Sequence, residues 1–193
     1  AVEGWGRLIL ADRSVDQGPD PEWIDPFAFV APPSAAAPPV PRDMVKIDGG
    51  TYRIGPDVTD PDASPAGTVT IADFYIDRCE VTVSEYVRFL NAGDHDRYYH
   101  EDMADPDLCG IYRSDGAFAV VPGKADYPVV FVDQSGAAAF ADWAGKRLPT
   151  EFEWEVAARG QAARRHPWGG QPVDDGRANF DYRVGHTTPV GSY

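Results

Sequence analysis

Residues 31–41 read Ala31-Pro32-Pro33-Ser34-Ala35-Ala36-Ala37-Pro38-Pro39-Val40-Pro41, and this run constrains the chain most. Proline lacks a backbone donor and fixes its own φ, so such a segment builds neither a helix nor a central strand and favours extended polyproline geometry. Eight of the 18 prolines fall within the first 41 residues. The chain therefore divides near residue 42 into an extended Pro/Ala-rich arm, 1–41, and a domain, 42–193. Before the proline run the arm carries two apolar patches, Trp5 with Leu8-Ile9-Leu10, and Trp23-Ile24 with Phe27, Phe29 and Val30. Disordered tails are poor in such residues. Two readings stand for Trp5, Trp23, Phe27 and Phe29: they dock on a partner protein, for example by adding an edge strand, or they wrap back onto their own domain.

Lysine and arginine number 17 against 31 aspartates and glutamates, a net charge of −14 in 193 residues. That balance disfavours a sequence-independent grip on nucleic-acid phosphates and a basic attachment to anionic lipid. No run of eighteen apolar residues is present, so no membrane span is expected. The 43% of apolar residues is enough to fill a core. Position 1 is alanine without a charged-then-apolar leader, as in an exported chain whose signal peptide has been removed.

From Arg42 onward the punctuation predicts a compact α+β domain. Segments 44–47 and 51–54 flank Asp48-Gly49-Gly50, a hairpin signal. Val69, Ile71, Phe74 and Ile76 mark a strand whose phase slips near Ala72-Asp73, and 118–121 and 129–132 are shorter strand candidates. Three helices are announced by their caps. Thr82-Val83-Ser84-Glu85 is a capping box followed by Tyr86, Val87 and Leu90 at helical spacing, with Gly93 as the expected stop. A second helix starts near Asp133 or Ser135, buries Ala137, Phe140, Ala141 and Ala144, and ends at Gly145. The third opens on Thr150-Glu151-Phe152-Glu153, packs Trp154, Ala157 and Ala158, and stops at Gly160. Beyond it the chain is loop-rich.

Dinucleotide, P-loop, zincin and serine-hydrolase motifs are all missing. Glu151 and Glu155 lie within helical reach of Arg147 or Arg159 and read as salt-bridged scaffolding. Loop 94–107 gathers six carboxylates with His95 and His100. It lacks the alternation and central glycine of a calcium loop, so a solvated acidic loop is expected over a cation site. Two cysteines, Cys79 and Cys109, suggest one disulfide closing about thirty residues, a closure credited with ~3–4 kcal/mol. The expectation rests on Cys109 lying in a polar loop, where a thiol would be exposed and oxidisable; two buried thiols are the alternative.

The motifs also resemble a known family. Met44-Val45-Lys46-Ile47-Asp48-Gly49-Gly50-Thr51-Tyr52-Arg53-Ile54-Gly55 is similar to the opening of the formylglycine-generating enzyme, or sulfatase-modifying factor, family. So is Val69-Thr70-Ile71-Ala72-Asp73-Phe74-Tyr75-Ile76-Asp77, followed by Glu80-Val81-Thr82. The most specific runs are Tyr127-Pro128-Val129-Val130-Phe131-Val132 and Ala139-Phe140-Ala141-Asp142-Trp143-Ala144-Gly145-Lys146-Arg147-Leu148-Pro149-Thr150-Glu151-Phe152-Glu153-Trp154-Glu155, continuing through Arg159-Gly160, Pro167-Trp168-Gly169 and Ala178-Asn179.

The resemblance implies a loop-rich, C-type-lectin-like α+β fold and oxidation of a sulfatase cysteine by copper and oxygen. The family's paired copper(I)-binding cysteines belong to a later part of its pattern, after Gly-Asn-Val-Trp-Glu-Trp and Arg-Gly-Gly-Ser-Trp segments that this sequence does not reach. No catalytic residue is therefore carried over, and the domain is expected to lack its C-terminal part. Without it, Trp154 and Trp168 are expected to face water. The resemblance further implies structural calcium near Asn179, with Asp181 as a second candidate ligand. The function expected is a non-catalytic binding or scaffold module, exported and held in a larger protein complex through its arm. The alternative is a copper-dependent formylglycine-generating oxidase whose catalytic cysteines lie in a later segment.

Overall fold

The computed structural model describes residues 11–12, 44–55 and 66–193, so the aromatic side chains expected to dock the arm, Trp5, Trp23, Phe27 and Phe29, lie outside the described residues. The chain forms eight short strands and three α-helices among those residues. The strands are β1 (Ala11–Asp12), β2 (Met44–Ile47), β3 (Gly50–Ile54), β4 (Gly67–Ile71), β5 (Phe74–Asp77), β6 (Ile111–Ser114), β7 (Ala117–Val120) and β8 (Lys146–Arg147). The helices are α1 (Val83–Leu90), α2 (Gln134–Trp143) and α3 (Glu151–Arg159). This is the expected α+β class. No helix among the described residues is long and apolar enough to cross a membrane. Two compact units are present: Asp77–Leu148 with Val173–Tyr193, and the described parts of Ala11–Ile76 with Pro149–Pro172.

In the first unit, α1 is central. Thr82 accepts from the Glu85 amide, and the Glu85 carboxylate takes the Thr82 N–H at 2.9 Å, the reciprocal capping expected from sequence. Five of its eight residues are buried, including Tyr86, Phe89 and Leu90. The 125–129 segment lines its entry: Val83 N–H donates to the Tyr127 carbonyl at 2.8 Å, and Val129 N–H to Val81 at 2.9 Å. That segment is not the strand expected at 129–132. Phe131 takes φ 63°, a left-handed conformation costly for a bulky side chain, and breaks the extended run before α2. Asp133 then caps α2, accepting from the Gly136 N–H at 2.7 Å, and this bond holds its carboxyl below the usual range.

Gly93 does not end α1. The helix stops at Leu90, capped by Asn91, and Gly93 is not among the left-handed glycines. The Asn91 side chain instead mimics a strand neighbour, accepting from Phe118 N–H and donating to Phe118 C=O, both at 2.9 Å. It thereby fixes β7 to the helix end. β7 pairs with β6 through Asp115-Gly116, whose φ values of 52° and 82° suit a tight hairpin turn. Phe118, Ile111, Met103 and Phe140 join the α1 residues in one core.

In the second unit the expected 44–54 hairpin does not form. β2 and β3 do not pair with each other; β3 pairs antiparallel with β4, Gly50 opposite Ile71, while β5 lies between β2 and β1. Both ribbons bend at the same point, one at Asp48-Gly49 and the other at the Ala72-Asp73 phase slip. Asp73 locks the corner. One of its oxygens accepts from Gly49 N–H at 2.6 Å and the other meets Lys46 Nζ at 2.6 Å, which holds the Asp73 carboxyl low. A Cβ on Gly49 would sit 2.7 Å from Asp73 N and 2.8 Å from the Ala72 carbonyl carbon, both immovable backbone.

Helix α3 packs against β3. Its Thr150–Glu153 capping box forms as expected, and Glu153 is only 2% exposed, its charge satisfied by the Thr150 N–H at 2.8 Å and favoured by the helix N-terminus. Of the two placements expected for Trp154, packed on α3 or facing water, the second is observed: it is 54% exposed, and Val156 fills the buried face. Trp168 is half-buried. Gly160, at φ 61°, ends the helix as expected. Gly49→Ala is predicted to cost about 2 kcal/mol of unfolding free energy in urea titration. The matched Gly170→Ala, whose Cβ would meet nothing within 4 Å, should change stability by less than ~0.5 kcal/mol.

Candidate functional site

The sulfur chemistry expected of Cys79 and Cys109 differs in the structure. The two are separate thiols, not a disulfide. The reason lies in the neighbourhood of Cys109. The two residues that follow it, Gly110 and Ile111, are buried with it. Cys109 is 0% exposed, in the core with Met103, Ile111 and Val129. Desolvation pushes its thiol up to about 11. A thiol held neutral at pH 7 is a poor nucleophile and a poor metal ligand.

Cys79 is half-buried, and its sulfur lies 3.6 Å from where a Gly191 Cβ would stand; Gly191 itself takes φ 74°. The segment carrying Gly191 is tied down twice. Thr187 Oγ1 donates to the Leu108 carbonyl at 2.8 Å, and Val190 N–H donates to Asp126 at 2.9 Å. Its Thr188-Pro189 and Gly191-Ser192-Tyr193 residues line, with Glu80, a shallow cleft of about 80 Å³. The cleft is too small for a drug-sized ligand.

Copper(I) needs deprotonated soft ligands. Cys109, 0% exposed in the core, does not fit that requirement. For calcium, the candidate ligands Asn179 and Asp181 lie two residues apart in one loop and differ in exposure. Asn179 is half-buried, and its amide donates to the His186 carbonyl at 2.8 Å; Asp181 is exposed at φ 51°. Calcium takes six to eight oxygens. No group of three or more His, Cys, Asp or Glu side chains that could hold a metal occurs among the described residues.

The acidic loop is ordered by other means. His95 stacks on Phe89 at 4.2 Å, its Nδ1 2.7 Å from the Phe89 carbonyl, and Asp96 pairs with Arg113.

Polar side chains that hold elements together are more numerous than sequence reasoning found. Lys146 Nζ pairs with Asp77 at 2.5 Å, both mostly buried, and nothing in the local pattern links positions so far apart. The Glu155–Arg159 pair expected as scaffolding does form, at 2.5 Å. It does more than brace one helix face. Glu155 Oε1 accepts from Gly55 N–H at 2.7 Å, and Arg159 donates to the Gly55 carbonyl at 2.5 Å, to Ala163 C=O at 3.2 Å and to Arg164 C=O at 3.0 Å.

Residues 30–193 match the sulfatase-modifying factor enzyme 1-like domain family. Among curated relatives, the chain is 39% identical over 158 residues to serine/threonine-protein kinase pkn1 of Chlamydia pneumoniae, covering 80% of this chain and 25% of that protein. It is 34% identical over 183 residues to a formylglycine-generating enzyme of Streptomyces coelicolor, covering 79% and 58% respectively. To hercynine oxygenase of Mycolicibacterium smegmatis it is 34% identical over 185 residues, covering 84% and 43%. The chain thus spans between a quarter and three-fifths of the length of these relatives. With the α+β architecture and the capped helices 83–90, 134–143 and 151–159 in place, this chain belongs to the sulfatase-modifying factor enzyme 1-like domain family.

Proposed function

We propose that residues 30–193 act as a binding or assembly module of this family, with no redox chemistry of their own. The observation that carries the reading is the state of Cys109, one of two cysteines in the chain, sealed in the core with its thiol pushed up to about 11. The relatives support it from another side. Segments similar to this one occur in proteins named for a kinase, a formylglycine-generating enzyme and a hercynine oxygenase. What such a segment shares across three activities is its fold, and a fold alone does not confer chemistry. The polar clasps around Gly55, Phe118 and Gly49 suit a part whose surface must keep its shape.

A second reading, a copper-dependent formylglycine-generating oxidase, is favoured by the relatives named for that activity at 31–35% identity. It requires paired sulfur ligands, and among the described residues Cys79 and Cys109 are separate thiols. The two readings separate by experiment. Under aerobic conditions with copper(I) supplied, the 193-residue chain is expected to take up no stoichiometric copper and to leave a cysteine-containing sulfatase peptide unchanged in mass. Conversion of the peptide cysteine, or one-to-one uptake of copper lost in Cys109→Ser, would establish the enzyme reading instead. Thiol labelling checks the premise. At pH 7 Cys79 is expected to alkylate first and Cys109 only on unfolding. Because the folded-state pKa of Cys109 lies above that of the unfolded chain, its contribution to stability is full below about pH 8.5. That contribution is lost as pH rises through about 11.

A further inference from the structure

Residues 156–173 contain no aspartate or glutamate, in a chain that has 31. They contain Arg159, Arg164, Arg165 and His166. Arg159 is consumed by Glu155 and by the carbonyls of Gly55, Ala163 and Arg164. Arg164 and Arg165 are both exposed, and among the described residues neither guanidinium reaches a carboxylate, a carbonyl or an aromatic ring. The other lysines and arginines of the described residues, Arg78 apart, each meet a partner: Lys46 and Arg183 carboxylates, Arg97 and Lys124 aromatic rings, and Arg53 and Arg147 likewise take part in contacts. Two adjacent unpaired arginines are conspicuous where anionic partners are so abundant.

The loop that holds them is stiff. Arg159 pins its start at Ala163, which takes φ 47°, and at the Arg164 carbonyl. His166 and Gly169 exchange backbone hydrogen bonds of 3.0 and 2.9 Å. The His166 ring stacks on Trp168 at 5.1 Å and 12°, and Trp168 Nε1 donates to the Gln171 carbonyl at 3.0 Å. Such a loop loses little entropy when a ligand engages it.

We propose that loop 163–168 is a docking surface for an acidic polypeptide segment. Arg164 and Arg165 take its carboxylates in forked hydrogen bonds, and the His166–Trp168 stack supports an apolar side chain beside them. The inference deepens the module reading and rests on it. Charge complementarity selects the partner. A nucleic acid carries a dense phosphate array that the −14 chain repels along its length, whereas a short acidic peptide meets only the loop. At about 0.15 M salt the screening length is ~8 Å, so the local positive charge outweighs the distant negative charge.

The test uses fluorescence anisotropy at that ionic strength with three probes: a labelled hexaglutamate peptide, a hexalysine peptide and a single-stranded oligonucleotide. Hexaglutamate is expected to bind, and Arg164→Glu with Arg165→Glu to weaken it at least tenfold, the loss of one or two charge-assisted hydrogen bonds. Arg78→Glu with Arg88→Glu changes the net charge equally and should weaken it less than about twofold. Circular dichroism and melting temperature confirm that both double variants are folded. No hexaglutamate binding, equal loss in the two variants, or tighter binding of the oligonucleotide would overturn the assignment. The copper and sulfatase-peptide outcomes are independent of these arginines, so a failure here leaves the module reading intact and a catalytic result there is recognised separately.

Discussion

One partly buried ion pair organises the second unit. Glu155 and Arg159, with side chains 20% and 15% exposed, face each other one turn apart on α3. On an exposed helix such a pair contributes a few tenths of a kcal/mol. Here the same two side chains also satisfy both backbone polar groups of Gly55 at the end of β3 and two carbonyls of the loop after α3. Removing either partner leaves the other charge and several backbone groups without compensation, which in a buried setting costs several kcal/mol. The strand end, the helix and the loop are therefore fixed together or not at all. Single side chains hold backbone in the same manner elsewhere: Asn91 on Phe118, and Asp73 on Gly49 with Lys46.

This economy follows from a loop-rich chain with strands of two to five residues. Short strands satisfy few of their own backbone groups, so side chains take the place of ladder neighbours. The result is a domain whose surface geometry is set by polar contacts more than by long regular elements. That suits a family domain found within proteins named for unlike activities. It also explains how a positively charged loop persists on an acidic chain, since Arg159 anchors the backbone of Arg164 while leaving the Arg164 and Arg165 side chains outward.

The helices were legible because their start signals are local. Thr82 with Glu85, Asp133, and Thr150 with Glu153 each cap within three residues, and no distant contact overrides them. Strand pairing was not legible, because Gly49 and Ala72-Asp73 look like turns in isolation and become a corner only when segments 44–54 and 67–77 lie side by side. The 129–132 run reads as a strand, yet Phe131 in the left-handed region redirects it toward α2. Cys109 misled for a related reason. Asp105 and Asp107 make its sequence neighbourhood look wet, while Met103, Ile111 and Val129 form the core in which it is buried. The unpaired state of Arg164 and Arg165 is a property of three-dimensional spacing, and only the absence of acids from 156–173 hinted at it.

Backbone hydrogen exchange in Arg159→Met, compared with the unsubstituted chain, probes the clasp most directly. Faster exchange confined to the Gly55 amide, the Ala163 and Arg164 amides and the C-terminal turn of α3, with the amides of α1 unchanged, is the predicted outcome. Retained protection at Gly55 would show that Glu155 holds the strand end without Arg159, and the organising role given to the pair would fall.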